Sequence, residues 1–250
     1  MVCLKLAERF TLSDFAYAHR GLWNSDGPIE NSLKACLDAA KNGLGIEFDV
    51  RPDCNGKPMV FHDKTLDRLT RHTGKFENLP ARALEQIHLA DGSKIISLET
   101  LLGAWPGQTP LLCEMKIDGK TDPFSFANEV GRMLMAHKGP AAAMSFSFEA
   151  VIALPKGLMR GQLIDKSSKI GEESFAPRLN TITASHADYI ACHTSDAEEV
   201  AARGQALGLP TIVWTTRDAE TCARLKLIVA AQIFEGFDPE LVKPAAAAKL

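Results

Sequence analysis

GIEFDVRPDCNGKPMVFHD, residues 45–63, places two carboxylates one residue apart, Glu47 and Asp49, inside an otherwise apolar run. Asp-Cys-Asn-Gly follows as a turn, and a second short apolar run ends on His62-Asp63. LGIEFDV reads as a strand, in which side chains alternate faces, so that Glu47 and Asp49 point the same way. Two like charges that close repel and are costly to bury unless a cation joins them. A hard divalent cation, Mg²⁺ or Ca²⁺, suits such oxygen ligands. A salt bridge to a nearby Arg or Lys is the plainer alternative.

Working outward from this stretch, short apolar runs alternate with amphipathic segments of helical length. DFAYAHR precedes it as a strand. NSLKACLDAAKNG reads as a helix with Asn31 or Ser32 as cap and Gly43 as stop. Residues 52–96 break the rhythm, with turns at Asn55-Gly56 and Gly74. A helix near Leu98–Ala104, capped by Ser97, is followed by the strand TPLLCEMK and an amphipathic segment from Pro123 to His137. AAAMSFS, MRGQLID, ADYIACH, PTIVWTT and AAQIFEG are further strand candidates. FEAVIALP, SDAEEVAARGQALG and DAETCARLKL read as helices. Strand and helix alternating about eight times predicts an α/β fold, a (β/α)₈ TIM-like barrel with a small insertion after the second strand. A doubly wound open sheet is the alternative. The expected organisation is one domain over residues 1–250, with an inserted subdomain at about 52–96.

The totals set bounds. A chain of 250 residues can bury a substantial core. A formal charge of −3 gives no bulk electrostatic case for nucleic acid or an anionic membrane as a partner. No apolar run approaches the ~20 residues that cross a bilayer, so no stable membrane insertion is expected. The N-terminal MVCLKLAERFTLSDF has charges interrupting its apolar residues and lacks a signal-peptide core. The cysteines Cys3, Cys36, Cys54, Cys113, Cys192 and Cys222 form no CxxC pair, and reduced thiols in a cytoplasmic protein are expected.

Other polar residues end predicted strands. Glu114 and Lys116 repeat the i, i+2 device in TPLLCEMK. In a parallel barrel the C-terminal strand ends form the active face, which would bring Glu114 to the rim of Glu47 and Asp49. Lys116 would stand beside it for an anion, or pair with it alone. His19-Arg20 ends the first strand: a base that titrates near neutrality and a fork suited to phosphate oxygens. Gly21 permits the bend that lets both reach one site. Asp63 could orient the His62 imidazole. His72, His88, His137, His186 and His193 lack such a setting and read as surface or capping residues. Leu22 and Trp23 form a weak apolar cluster near the expected entrance.

Taken in order, AHRG, IENS, GIEFDV, MVFHDKTLDRLT, CEMK and VWTT resemble the serial motifs of the glycerophosphodiester phosphodiesterases, from about residue 16 to 218. The resemblance implies a TIM-like barrel with a small inserted subdomain. It implies one divalent cation on Glu47, Asp49 and Glu114, and His19 and His62 as a general acid–base pair. Arg20 and Lys116 would lie near the phosphate. Glu30 and Asn31 match the family's Glu-Asn pair, Asn31 touching the metal site or starting the helix. Trp214 would wall the substrate pocket or pack in the core. Two departures stand out: Ile29 where a proline is usual before the pair, and QIFEGFDPE in place of the usual last-strand pattern. The implied activity is metal-dependent hydrolysis of a small glycerophosphodiester to glycerol 3-phosphate and an alcohol, through water or a cyclic phosphate. Alternatives are a phospholipase D-like or sugar-phosphodiester hydrolase on the same barrel, or a barrel that binds a phosphorylated ligand without turnover. The sequence does not report the oligomeric state.

Overall fold

A computed structural model describes residues 10–244. In chain order its strands are β1 (Tyr17–His19), β2 (Gly45–Pro52), β3 (Pro58–Val60), β4 (Ile96–Ser97), β5 (Leu111–Met115), β6 (Ala141–Ser145), β7 (Met159–Leu163), β8 (Tyr189–His193), β9 (Thr211–Thr216) and β10 (Ala231–Phe234). Eight of them are parallel neighbours in the order β1-β2-β5-β6-β7-β8-β9-β10, and β10 pairs back onto β1. The sheet is therefore closed, which decides for the barrel over the open sheet. β3 pairs antiparallel with the last residues of β2, Val50 to Pro52, and β4 pairs antiparallel with β3.

The helices are α1 (Leu33–Lys41), α2 (Ala81–Leu84), α3 (Leu98–Ala104), α4 (Pro123–Ala136), α5 (Phe148–Ala153), α6 (Ser167–Ile170), α7 (Glu172–Thr181), α8 (Ala197–Leu207) and α9 (Ala219–Leu225). Local chemistry sets several boundaries. Ser32 caps α1 by accepting from the Ala35 N–H, and Ser97 caps α3 by accepting from Thr100. Asn31 is thus not the cap, and its side chain goes elsewhere. Asp122 caps α4, with Pro123 in the first turn where its missing N–H costs nothing. The segment between β7 and β8 gave no clear helical pattern in sequence. It holds α6 and α7, separated by Gly171 at φ +76° and interrupted by Pro177, and both residues break an apolar period.

Alternation explains how β2 serves two layers. Ile46, Phe48 and Val50 face outward and pack in the main core with Cys36, Leu98, Leu111 and Val130. Gly45, Glu47 and Asp49 lie on the opposite, barrel-side face. Inside the barrel, Tyr17, Leu112, Met144, Tyr189, Ile212 and Ile233 form a second cluster that floors the site. Gly161 sits in register with Tyr189, and a Cβ there would meet the tyrosine ring at 2.3 Å, so only glycine leaves the ring its place. Residues between β2 and α3 build their own apolar cluster from Met59, Phe61, Leu66, Phe76, Leu84 and Ile95, with Phe61 stacked on Phe76 at 4.7 Å.

The described cysteines are Cys36, Cys113, Cys192 and Cys222, all buried, and Cys54, exposed; each is a free thiol. Cys3, most of the N-terminal stretch and the last residues of the alanine-rich tail lie outside the described residues. Among the described residues, no helix is long and apolar enough to cross a membrane.

Candidate active site

Glu47 and Asp49 come from β2, and Glu114 comes from the neighbouring β5, where it is paired in register with Asp49. One carboxylate oxygen from each lies within 4.8 Å of the others. All three are buried, Asp49 to 1% exposure. Their surroundings divide them. Lys116 Nζ reaches Asp49 Oδ1 at 2.9 Å and Glu114 Oε1 at 2.5 Å. Arg20 Nε lies 3.2 Å from Asp49 Oδ2. Burial alone would raise the Asp49 carboxyl, but Lys116 and Arg20 outweigh it and hold it far below the usual carboxylate range. Glu47 has no such cation at contact. Burial, then Asp49 and Glu114, push its carboxyl well up, and its Oε2 is buried without a hydrogen-bond partner. Burial also raises Glu114, with Lys116 opposing. Three converging carboxylate oxygens, one of them orphaned, fit a hard divalent cation. The plainer alternative is also visible, since Lys116 and Arg20 neutralise Asp49 and Glu114.

Arg20 reaches the cluster because the chain bends at its own α-carbon. Arg20 has φ +58° and Gly21 φ +86°, and a Cβ on Gly21 would strike the Ala35 carbonyl carbon at 2.6 Å. Asn31, at φ +59°, donates from Nδ2 to Asp49 Oδ2 at 2.8 Å and accepts at Oδ1 from the Asp49 N–H at 3.2 Å. It therefore touches the acid cluster. Glu30 does not. It accepts from Arg20 at 2.7 Å and is clasped by Arg68 at 2.9 and 2.7 Å.

His19 and His62 each have their own carboxylate. His62 Nδ1 is 2.7 Å from Asp63 Oδ1, and Arg68 holds both Asp63 oxygens at 2.6 and 3.0 Å. Arg20, Glu30, Arg68, Asp63 and His62 thus form one charged chain around the rim. His62 is carried inward because the Phe61 N–H donates to the Asp49 carbonyl, continuing the β2–β3 pairing. Buried Arg51 fixes the His62 carbonyl at 2.8 Å while pairing with Glu77 and Asp118. His19 Nδ1 is hydrogen-bonded to Glu235, and its Nε2 lies 3.8 Å from Glu47 Oε2. Burial lowers both histidines, chiefly by disfavouring the imidazolium, and the neighbouring carboxylates offset only part of that. With Nδ1 donating to a carboxylate, Nε2 is the nitrogen left for proton transfer.

These groups open into a cavity of ≈ 840 Å³ at the C-terminal ends of the strands. Trp214 lines it and also packs edge-on against Phe146 and His193, at 5.7 and 5.3 Å between ring centres. Sequence reasoning missed several members. Glu235 lies one residue past β10, inside the segment that departs from the usual pattern, and no signal marked it. His193 ends β8 as His19 ends β1, and that strand-end rule would have found it. It accepts from the Ser195 N–H, as a cap would, and also lines the cavity. Leu22 and Trp23 are corrected: they line a separate groove with Phe234 and Phe237, and Trp23 Nε1 is tied to the His19 carbonyl.

Fold and site together define a (β/α)₈ barrel whose mouth joins a carboxylate cluster to two carboxylate-backed histidines. Residues 19–234 match the Glycerophosphoryl diester phosphodiesterase family. The chain belongs to that family. Glycerophosphodiester phosphodiesterase 1 of Homo sapiens is 38% identical over 81 residues, which are 32% of this chain and 24% of that protein. Probable glycerophosphodiester phosphodiesterase 2 of Mycobacterium tuberculosis is 37% identical over 92 residues, 36% of this chain and 34% of that one. The matched stretches thus span a quarter to a third of these relatives. Among solved structures, an Oleispira antarctica phosphodiesterase in complex with its product sn-glycerol-3-phosphate superimposes with a TM-score of 0.76 at 21% identity, covering 91% of this chain and 94% of that one. A Thermotoga maritima glycerophosphodiester phosphodiesterase gives 0.72 at 24% identity, covering 91% and 95%. At these identities the structures speak for the fold.

Proposed function

We propose that the protein hydrolyses glycerophosphodiesters to glycerol 3-phosphate and an alcohol. The observation that carries this reading is the convergence of three clustered carboxylates, Glu47 and Glu114 of them lining the cavity, with two cavity-lining histidines whose Nδ1 atoms are each held by a carboxylate. Family membership supports it. Glu47, Asp49 and Glu114 would hold one divalent cation, Mg²⁺ or Ca²⁺, with Asn31 orienting Asp49. Such an ion, when bound, neutralises phosphate charge and stabilises the transition-state oxygens.

The chain's own residues do the rest. Arg20 and Lys116, anchored at the same carboxylates, add positive charge for the phosphate. One histidine takes a proton at Nε2 from the attacking oxygen, and the other gives a proton to the departing alcohol. Glu235 and Asp63 keep each ring in the tautomer that leaves Nε2 available and steady the imidazolium when it forms. The attacking oxygen is that of water, either directly or after the glycerol 2-hydroxyl has closed a cyclic phosphate. Trp214 walls the cavity on the far side. The chain is taken as one barrel domain with residues 52–96 inserted, and the cytoplasmic setting expected from its scattered cysteines is retained.

The test is glycerol 3-phosphate release from glycerophosphocholine and glycerophosphoethanolamine, with EDTA and then with Mg²⁺ or Ca²⁺ restored. Release that stops in EDTA and returns with one cation is expected. His19→Ala and His62→Ala should each lower kcat by ~10²–10⁴ without loss of fold. Near-wild-type kcat in either variant would remove that histidine from the mechanism.

A further inference from the structure

The wall of the cavity opposite the acid cluster carries cations that the proposed chemistry does not use. In the closed sheet β7, β8 and β9 stand across the barrel from β1, β2 and β5. Lys166 follows β7, His193 ends β8 and Arg217 follows β9, and all three line the cavity. Their charge is incompletely answered. Lys169 is paired with Asp165 at 2.6 Å. Asp196 spends its two oxygens on the Ser167 N–H and hydroxyl, at 3.1 and 2.6 Å. Arg217 shares one oxygen of Glu235 through Nε and Nη2, at 2.8 and 2.7 Å, while the other oxygen serves His19. Lys166 is half-buried and, among the described residues, has no ion pair. His193 accepts at Nδ1 from the Ser195 N–H at 3.1 Å, which leaves its Nε2 as a donor.

Arg20 and Lys116 stand with the acids on the near wall, where the reacting phosphate belongs. Lys166, across the barrel from them, is therefore placed to face the other end of the diester, with Arg217 beside it and tied back through Glu235 to His19. A glycerol end bears no charge, so an anion there must belong to the alcohol.

We propose that Lys166, with Arg217 and His193, forms a second anion subsite, and that preferred substrates are glycerophosphodiesters whose alcohol bears its own phosphate. This rests on the diesterase reading above. A cationic headgroup such as choline would meet like charge at this wall, whereas a phosphate would gain charge-assisted hydrogen bonds.

The test compares kcat/KM for glycerophosphoinositol 4-phosphate and glycerophosphoinositol, which differ by one phosphate, with divalent cation present. The phosphorylated diester should be favoured by about tenfold or more, mainly through KM. Lys166→Ala should shrink the ratio and Lys166→Glu should bring it to unity or below. Arg217 is a poorer target, because it also holds Glu235. A wild-type ratio of one or less, or a ratio that survives Lys166→Glu, overturns the subsite while leaving the diesterase reading in place. Turnover of neither compound, nor of glycerophosphocholine, overturns both.

Discussion

Asn31 and Asp49 hold each other through two hydrogen bonds, side-chain amide to carboxylate at 2.8 Å and backbone N–H to side-chain oxygen at 3.2 Å. Residue 31 also adopts φ +59°, a conformation that asparagine tolerates better than most residues. Asn31→Gly keeps the backbone freedom and removes both bonds. Divalent-cation affinity should fall by ~10–100-fold, the usual cost of losing a group that orients a ligand. Isothermal titration of the variant measures it, and unchanged affinity would mean that Asn31 only shapes the turn before α1.

Glu235 bonds to His19 across the seam where β10 closes onto β1. Glu235→Gln retains a hydrogen-bonding group but no charge to stabilise an imidazolium. We expect kcat to drop by at least about tenfold, and by less than the ~10²–10⁴ at stake when a general acid–base is lost. If His19 is the acid, the deficit should vanish for a p-nitrophenyl ester, whose leaving group needs no proton. A deficit equal for both substrates would assign His19 to the attacking oxygen instead, and no deficit would make Glu235 merely structural.

These two residues show what could be read in the chain and what could not. Glu47, Asp49 and Glu114 were legible because strand alternation fixes which side chains share a face, and a parallel barrel fixes which strand ends share a rim. His19 followed from the same rule, whereas His62 lies two residues past the antiparallel β3 and is carried to the rim by the β2–β3 pairing. Glu235 was not legible, since it meets His19 over a separation of 216 residues and lies in an irregular turn. Arg68 is similar: it links Glu30, 38 residues away, to Asp63 through the irregular segment between β2 and α3, where no period predicts direction. The helix α7 escaped because Gly171 and Pro177 disrupt the apolar spacing that marks the other helices. Sequence period reports local faces, whereas contacts across the barrel seam depend on closure.

Glu47 should make the metal-free chain lose stability as pH rises. Burial, then Asp49 and Glu114, hold its carboxyl well above the usual range. A group raised in the folded state lends stability that is full below its unfolded value and is lost as pH rises through the folded one. Glu47→Gln removes that titration with little change of shape. In EDTA the variant should therefore keep its Tm to higher pH than the wild type, by about 2–4 °C for each ~1 kcal/mol relieved. Adding divalent cation reverses the order: the wild type gains ~2.7 kcal/mol at a hundredfold excess over Kd, and the variant gains less. Scanning fluorimetry over pH, with and without metal, reads both effects. Identical metal-induced shifts in the two proteins would remove Glu47 from the ligand set.

Arg68 should lend the fold stability that is present near neutral pH and is lost in acid. Burial would raise the carboxyls of Asp63 and Glu30, but hydrogen bonds from Arg68 outweigh it, bringing Asp63 down to about 2 and Glu30 below its ordinary value. Depressed carboxyls lend stability that is present above their unfolded values and lost as pH falls through the folded ones. Arg68→Ala lifts both folded values toward the unfolded ones, so that contribution shrinks. The acid-unfolding midpoint, followed by circular dichroism, should rise by about half a pH unit. Arg68 is half exposed, so solvent screening keeps this contribution modest even near neutral pH, where it is fully present. Activity should respond more strongly than stability at pH 7, because Asp63 then holds His62 without its own brace. If the midpoint does not move, the Glu30–Arg68–Asp63 chain is a solvated surface network, and the orientation of His62 must come from Arg51 and the β2–β3 pairing alone.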